Sequence, residues 1–86
     1  MPVIATFLGI LIKLFHEDHN PPHFHAEYAE YRAIVEIDTG KVLRGRLPKR
    51  VASLVEEWRA ANIEGLRRSW SDAQSGRQPR RIRPLR

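Results

Sequence analysis

The chain has 86 residues, a net charge of +5 and no cysteine. This length makes one small domain and is too short for a dinucleotide-binding fold or a TIM barrel. Without cysteine the chain has no disulfide, no thiolate zinc site and no cysteine nucleophile. Its 42% hydrophobic and 29% charged residues are typical of a soluble globular domain.

The first 15 residues are apolar and are predicted to form two buried strands. Residues 3–8 and 10–15 are rich in branched and aromatic side chains, and Gly9 separates them. The stretch is shorter than the roughly 20 residues of a membrane-spanning helix. It also lacks the basic region and the cleavage site of a signal peptide. We therefore predict a cytoplasmic protein of bacterial type that does not associate with membranes.

The next part of the chain is predicted to complete an antiparallel meander. Apolar and polar side chains alternate over residues 23–28 and 32–38, and we place a hairpin turn at residues 29–31 between them. A further short strand follows over residues 41–46. The meander therefore has four or five strands.

Two apolar stripes at helical spacing predict two C-terminal helices. The stripes consist of Val51, Leu54, Val55 and Trp58, and of Ile63, Leu66 and Trp70. At roughly 100° per residue, the second stripe is rotated by about a quarter turn from the first. One straight helix could not bury both, so we predict a break near Asn62, with Asn62 capping the second helix. Both tryptophans are predicted to be core residues.

These elements predict a single α+β domain over residues 1–72, in which the antiparallel β-meander packs against the two helices. Residues 73–86 are rich in Ser, Gly, Gln, Pro and Arg. Such a composition buries too little apolar surface to offset the entropy of ordering, so we predict a flexible, disordered basic tail.

The arginines of this tail are candidate nucleic-acid contacts. They are Arg77, Arg80, Arg81, Arg83 and Arg86. If all of them neutralised phosphates of a duplex, the logarithm of the binding constant would fall with the logarithm of the salt concentration with a slope of about −4.5. The alternative is a tail that is solvated and serves only solubility.

All four histidines lie between residues 16 and 25, in a segment that is otherwise acidic. On a strand, His23 and His25 face the same side with their Cα atoms about 6.7 Å apart, so both imidazoles can bind one ion. His19 would supply a third nitrogen from the proline-stiffened loop. Glu27 continues the same face, and Asp18 would bind the ion or orient an imidazole. This set suits Zn, Ni, Mn or Fe(II), and Zn or Ni is the cofactor that we predict.

Two other interpretations of the histidines stay open. In the first, the imidazole rings are solvated or hydrogen-bonded to nearby carboxylates, and they only stabilise the junction between loop and strand. Alternatively, His19, His23 or His25 would act without metal as general acid and base on an RNA 2′-hydroxyl. The acidic segment repels phosphate, so this reaction would need basic residues such as Arg44 and Arg46 close by.

Several motifs of the chain resemble a known bacterial family. They are Phe7-Leu-Gly-Ile10, Asp18-His-Asn-Pro-Pro-His-Phe-His-Ala26 and Gly45-Arg-Leu-Pro48, together with the two helical tryptophans. Over about residues 1–72 the chain is similar to the domain-of-unknown-function family DUF4160. The resemblance implies a small bacterial protein that is often encoded beside a second small protein, in a pair that resembles a toxin–antitoxin arrangement. It implies no catalytic residue.

Two functional hypotheses follow. In the first, the chain is a small cytoplasmic component of such a two-gene module, and it acts by binding a partner protein from the adjacent gene and also nucleic acid. In the second, it is a metal-dependent or histidine-based hydrolase of the ribonuclease type, with His19, His23 and His25 as the candidate catalytic residues.

Overall fold

The computed structural model describes residues 3–16 and 18–85, which form a five-stranded sheet followed by two helices. The elements are β1 (Val3–Phe7), β2 (Ile10–Lys13), β3 (His23–Tyr28), β4 (Tyr31–Glu36), β5 (Val42–Arg46), α1 (Lys49–Ala61) and α2 (Ile63–Gln74). Each strand pairs in antiparallel fashion with the next one along the chain. This is the predicted α+β meander, with five strands.

Tight turns connect β1 to β2 and β3 to β4. Leu8 and Gly9 form the first turn with φ values of 51° and 82°. The second turn contains Ala29 at a φ of 52° and lies within the predicted residues 29–31. Positive φ values at the turn residues match the right-handed twist of the paired strands. Only the first turn uses a glycine, so the second has no glycine signal in the sequence.

The core lies between one face of the sheet and the two helices. Phe24 and Ala26 on β3 are fully buried and alternate with partly exposed side chains. Trp58 on α1 is also fully buried, and its ring centroid lies 5.5 Å from that of Phe7 and 5.7 Å from that of Phe24. Trp70 on α2 is 8% exposed. Both tryptophans are core residues, as predicted.

The two helices separate at Asn62, as predicted. The backbone N–H of Asn62 donates to the Arg59 carbonyl at 3.0 Å, and its side-chain Nδ2 donates to the Trp58 carbonyl at 2.8 Å. The side chain makes no capping bond to α2. Asn62 therefore satisfies carbonyls at the end of α1, rather than N–H groups at the start of the second helix as the sequence predicts.

Residues 77–85, which we call the C-terminal strap, run along the domain. The N–H of Ile82 donates to the carbonyl of Ile4 in β1 at 2.8 Å. Nε1 of Trp58 donates to the carbonyl of Arg83 at 2.9 Å. The strap thus covers part of the β1 edge of the sheet and satisfies the polar atom of a fully buried tryptophan.

This packing differs from the predicted disordered tail, and apolar side chains are the reason. Pro79 is fully buried, and Ile82 and Leu85 pack against the core. The composition of the segment as a whole is polar, but these three apolar residues recur at every third position and face the domain. The hydroxyl of Ser69 on α2 also donates to the carbonyl of Arg80 at 2.7 Å.

A buried carboxylate holds the beginning of the strap. Asp72 on α2 is 2% exposed and accepts hydrogen bonds from Nε of Arg80 at 2.7 Å and from Nη2 of Arg77 at 3.3 Å. The bond from the Arg80 guanidinium, above all, holds the pKa of the Asp72 carboxyl far below its usual range. Two of the tail arginines therefore already have a carboxylate partner.

Candidate metal centre

The site forms where the loop after β2 enters β3. Pro21 and Pro22 restrict the backbone just before the strand begins. Since side chains alternate along a strand, His23 and His25 share one face while Phe24 between them lies in the core. The predicted arrangement of the two rings is confirmed. Both are partly buried, with 12% and 25% of their side chains exposed.

Asp18, His23 and His25 form what we call the His–Asp cluster. Oδ2 of Asp18 lies 3.2 Å from Nε2 of His23 and 3.3 Å from Nε2 of His25. One ligand atom from each residue lies within 4.8 Å of the other two. Ligand atoms about 2.1 Å from a tetrahedral ion are about 3.4 Å apart, close to the two nitrogen–oxygen distances. Two imidazoles and one carboxylate are ligands that Zn, Ni, Mn and Fe(II) accept.

The carbonyl of Pro21 determines the tautomer of His23. Nδ1 of His23 lies 2.8 Å from this oxygen, and because a carbonyl only accepts, Nδ1 carries the proton. In the neutral ring, Nε2 then directs a lone pair at Oδ2 of Asp18. Two such atoms 3.2 Å apart repel each other unless a proton or a cation lies between them. The space between these two atoms therefore takes either a proton or a cation.

Aromatic rings hold both imidazoles in place. The ring of Trp70 lies 5.3 Å from that of His23, and Phe15 meets His25 edge-on at 4.4 Å between ring centroids. Burial lowers the pKa of His25 below its usual value, and the hydrogen bond with Asp18 opposes this shift without cancelling it. Burial thus favours the neutral imidazole, which is the form that binds a metal.

Two long-range contacts fix the loop that carries Asp18. Nε2 of Gln74, at the end of α2, donates to the backbone carbonyl of Asp18 at 2.9 Å. Nε2 of His16 lies 3.0 Å from the carbonyl of Arg77 in the strap. Sequence reasoning missed Gln74 and the ring contacts, because no spacing in the chain indicates that the end of α2 reaches this loop.

The structure places the other two predicted ligands outside the cluster. His19 is exposed, and in the described part of the chain it is not among the grouped ligand atoms. Glu27 lies on the predicted face of β3, but its Oε1 accepts a hydrogen bond from Nζ of Lys13 at 3.1 Å. Asp18, which the sequence leaves open as ligand or orienting group, is at the centre. A metal role for His19 and Glu27 stays a prediction that this geometry does not support.

The predicted nucleic-acid contacts do not form one free basic patch. Arg77 and Arg80 share the buried carboxylate of Asp72. Nη1 of Arg81 donates to the carbonyl of Val3 in β1 at 3.2 Å. Arg83 is exposed, and Arg86 lies outside the described residues. Nucleic-acid binding by this segment stays a prediction, with fewer unpaired charges than the sequence suggests.

The model of one protein family, described as a domain of unknown function (DUF4160), matches residues 9–71. The match includes the His–Asp cluster, β2 to β5 and α1, and it ends before the strap. No curated protein and no solved structure matches the chain. Neither of the two helices in the described residues has the length and apolar character required to cross a bilayer.

Proposed function

Because the chain belongs to the DUF4160 family, a family of unknown function, we propose its function from its own site. The His–Asp cluster binds one divalent transition-metal ion and forms the centre of a small metal-dependent hydrolase. The proposal depends on one observation, the approach of two imidazole nitrogens to a single carboxylate oxygen at 3.2 and 3.3 Å.

The ligand set favours a catalytic rather than a structural site. Structural zinc sites take four protein ligands, whereas catalytic sites take three and leave a position for water or substrate. Asp18, His23 and His25 provide three. A divalent ion with this set keeps a net charge of +1, which favours binding of an anionic substrate. The two imidazoles remain partly exposed, so solvent and substrate have access to the centre.

The surrounding residues prepare the cluster for an ion. The Pro21 carbonyl orients His23, and Gln74 holds the backbone of Asp18. Such supporting contacts typically contribute about 10–100-fold to metal affinity. A bound divalent ion would supply Lewis acidity, which activates water and polarises the bond to be hydrolysed. The rings of Phe15 and Trp70 pack against His25 and His23 and hold the two imidazoles in position for the ion.

Metal binding is tested by titrating Zn²⁺ and Ni²⁺ into chelator-treated protein in a calorimeter. We expect one ion per chain. Asp18→Asn and His25→Ala should weaken binding by more than about 100-fold, because they remove a direct ligand. His19→Ala is the matched control, since it removes an exposed histidine of the same segment, and it should bind like the wild type. A wild type that binds neither ion, or equal losses in all three variants, would refute the metal centre.

Hydrolysis is tested separately with bis(p-nitrophenyl) phosphate and p-nitrophenyl acetate, with and without EDTA. We expect turnover that requires the ion and disappears in Asp18→Asn. Activity that survives EDTA but is lost in His23→Ala would point to metal-free acid–base chemistry instead. Metal binding without turnover of either ester class would contradict the hydrolase and leave a binding protein.

We also propose, as a second function, that the edge of β5 binds the partner protein of a two-gene module. β5 ends the sheet, and all five of its residues are exposed, including Val42 at 46% and Leu43 at 41%. At the opposite edge, the strap bonds to β1. An exposed edge strand with apolar side chains such as these two accepts an extended segment of another protein as an additional strand.

Partner binding is tested with the purified product of the adjacent gene. We expect a complex on size-exclusion chromatography that Leu43→Lys weakens by about tenfold or more, because a charge at an edge strand opposes pairing. The matched control is Leu8→Lys, which changes a leucine that is 57% exposed in the β1–β2 turn. A complex that is equally stable with Leu43→Lys would exclude the β5 edge.

A further inference from the structure

A shallow groove of about 360 Å³ crosses the open face of β3, β4 and β5 beside the His–Asp cluster. In the sheet register, His25 pairs with Ile34, and Ile34 pairs with Arg44. Neighbouring strands are about 4.8 Å apart, so the Cα atoms of His25 and Arg44 are separated by about 10 Å. His25 thus belongs both to the cluster and to the wall of the groove.

Two arginines of the groove have side chains without a partner among the residues that the structure describes. They are Arg32 and Arg44, which are exposed and make neither an ion pair nor a side-chain hydrogen bond there. Glu27, the carboxylate of the groove, is bound by Lys13. Arg32 and Arg44 are diagonal neighbours on adjacent strands, with Cα atoms about 7–8 Å apart. At this separation both guanidinium groups can bind one tetrahedral anion.

The remaining surface of the groove is apolar. Ile34 is half-buried and lies between His25 and Arg44 across the sheet, and the ring of Phe15 lies at the His25 end. The volume is at the lower end of the range for small-ligand sites, about 300–1,000 Å³. A ligand that joins one anionic group to one flat ring matches the charge, the apolar surface and the size.

We propose that the groove binds a nucleotide, with its phosphate on Arg32 and Arg44 and its base over Ile34 and Phe15. Because His25 lines the same groove, phosphate esters are the substrate class of the hydrolytic centre. Hydrolysis there bonds the oxygen of water to phosphorus and breaks the P–O ester bond, and the leaving oxygen takes up a proton. This reaction rests on the proposed function, whereas nucleotide binding itself requires no metal.

The binding site is tested in EDTA by calorimetry with AMP, inorganic phosphate and adenosine. We expect AMP to bind and adenosine to bind at least about tenfold more weakly, because charge-assisted hydrogen bonds to the phosphate are lost. Arg32→Gln and Arg44→Gln should each weaken AMP binding by about tenfold. Arg68→Gln makes the same change at an exposed arginine on α2 and should leave the affinity unchanged. No AMP binding, equal binding of adenosine, or an equal loss in Arg68→Gln would overturn the groove.

A single-stranded tetra-adenylate distinguishes the source of the nucleotide. Binding that is at least tenfold tighter than that of AMP identifies a nucleic-acid strand as the ligand, and equal binding identifies a free nucleotide. Both results support the groove. For the strand, each arginine variant should also reduce the salt dependence, by roughly 0.7 in the slope of log K against log salt concentration. An unchanged slope in both variants would place the strand elsewhere on the protein.

The two proposals fail separately. Asp18→Asn should lose Zn²⁺ binding while its affinity for AMP in EDTA stays that of the wild type. If the protein binds AMP but no metal, the hydrolytic centre is refuted and the nucleotide site in the groove is supported. A protein that binds metal but not AMP refutes the groove and leaves the centre with another substrate.

Discussion

Replacing one buried hydroxyl measures how firmly the C-terminal strap is attached. Ser69 is fully buried on α2, and its Oγ donates to the carbonyl of Arg80 at 2.7 Å. In Ser69→Ala this bond is lost and the carbonyl is left without its donor, which costs about 1.5–2 kcal/mol. Alanine favours the helix over serine by about 0.5 kcal/mol. The free energy of unfolding should therefore fall by about 1–1.5 kcal/mol.

The measurement is thermal unfolding, monitored by circular dichroism. For a chain of this size, the expected loss lowers the Tm by roughly 5–10 °C. Ser71→Ala is the matched control, because Ser71 is exposed on the same helix and its hydroxyl has no partner among the described residues. The control should be as stable as the wild type or slightly more stable. If both variants had the same Tm, the strap would not dock through this bond, and a disordered tail would be the better description.

Three further predictions concern backbone geometry, acid sensitivity and a buried cation. Gly45→Ala should unfold at lower denaturant concentration than Gly76→Ala. Both glycines have φ values near +78°, but only at Gly45 would a Cβ lie 2.2 Å from a carbonyl oxygen of β4. The pKa of Asp72 is depressed in the folded chain, so its stabilisation is fully present above the ordinary carboxyl pKa of about 3.9 and is lost as the pH falls. Denaturation from about pH 5 to about pH 2 should therefore show a shallower loss of stability in Asp72→Asn than in the wild type. Arg59→Met should cost about 1–3 kcal/mol, because its buried guanidinium donates at 2.8 Å to a carbonyl just after β4. Arg67→Met removes an exposed guanidinium, and we expect almost no change in the denaturation midpoint.

Features that follow from local periodicity could be predicted from the sequence. Alternation along residues 23–28 places His23 and His25 together, and the rotation between the two apolar stripes indicates the break at Asn62. Both are properties of a short piece of backbone. Strand pleat and helical pitch fix the direction of each side chain relative to its near neighbours, whatever the rest of the chain does.

The carboxylate that completes the cluster depends on contacts between distant residues. Glu27 has the expected spacing but pairs with Lys13 on the neighbouring strand, and Asp18 takes its place because Gln74 holds its loop from the end of α2. The docking of the strap has the same origin. Its apolar residues and carbonyls meet partners on β1, α1 and α2 only after those elements have packed.

The sequence by itself therefore determined the strands, the helices and the shared face of the two imidazoles. Only the tertiary structure decided which acid faces those imidazoles, that the last residues belong to the fold, and that two arginines of β4 and β5 lie on the same face as His25. The physical reason is that hydrogen bonds and ion pairs form between side chains within a few ångströms of each other, and the folded path of the chain decides which residues come that close.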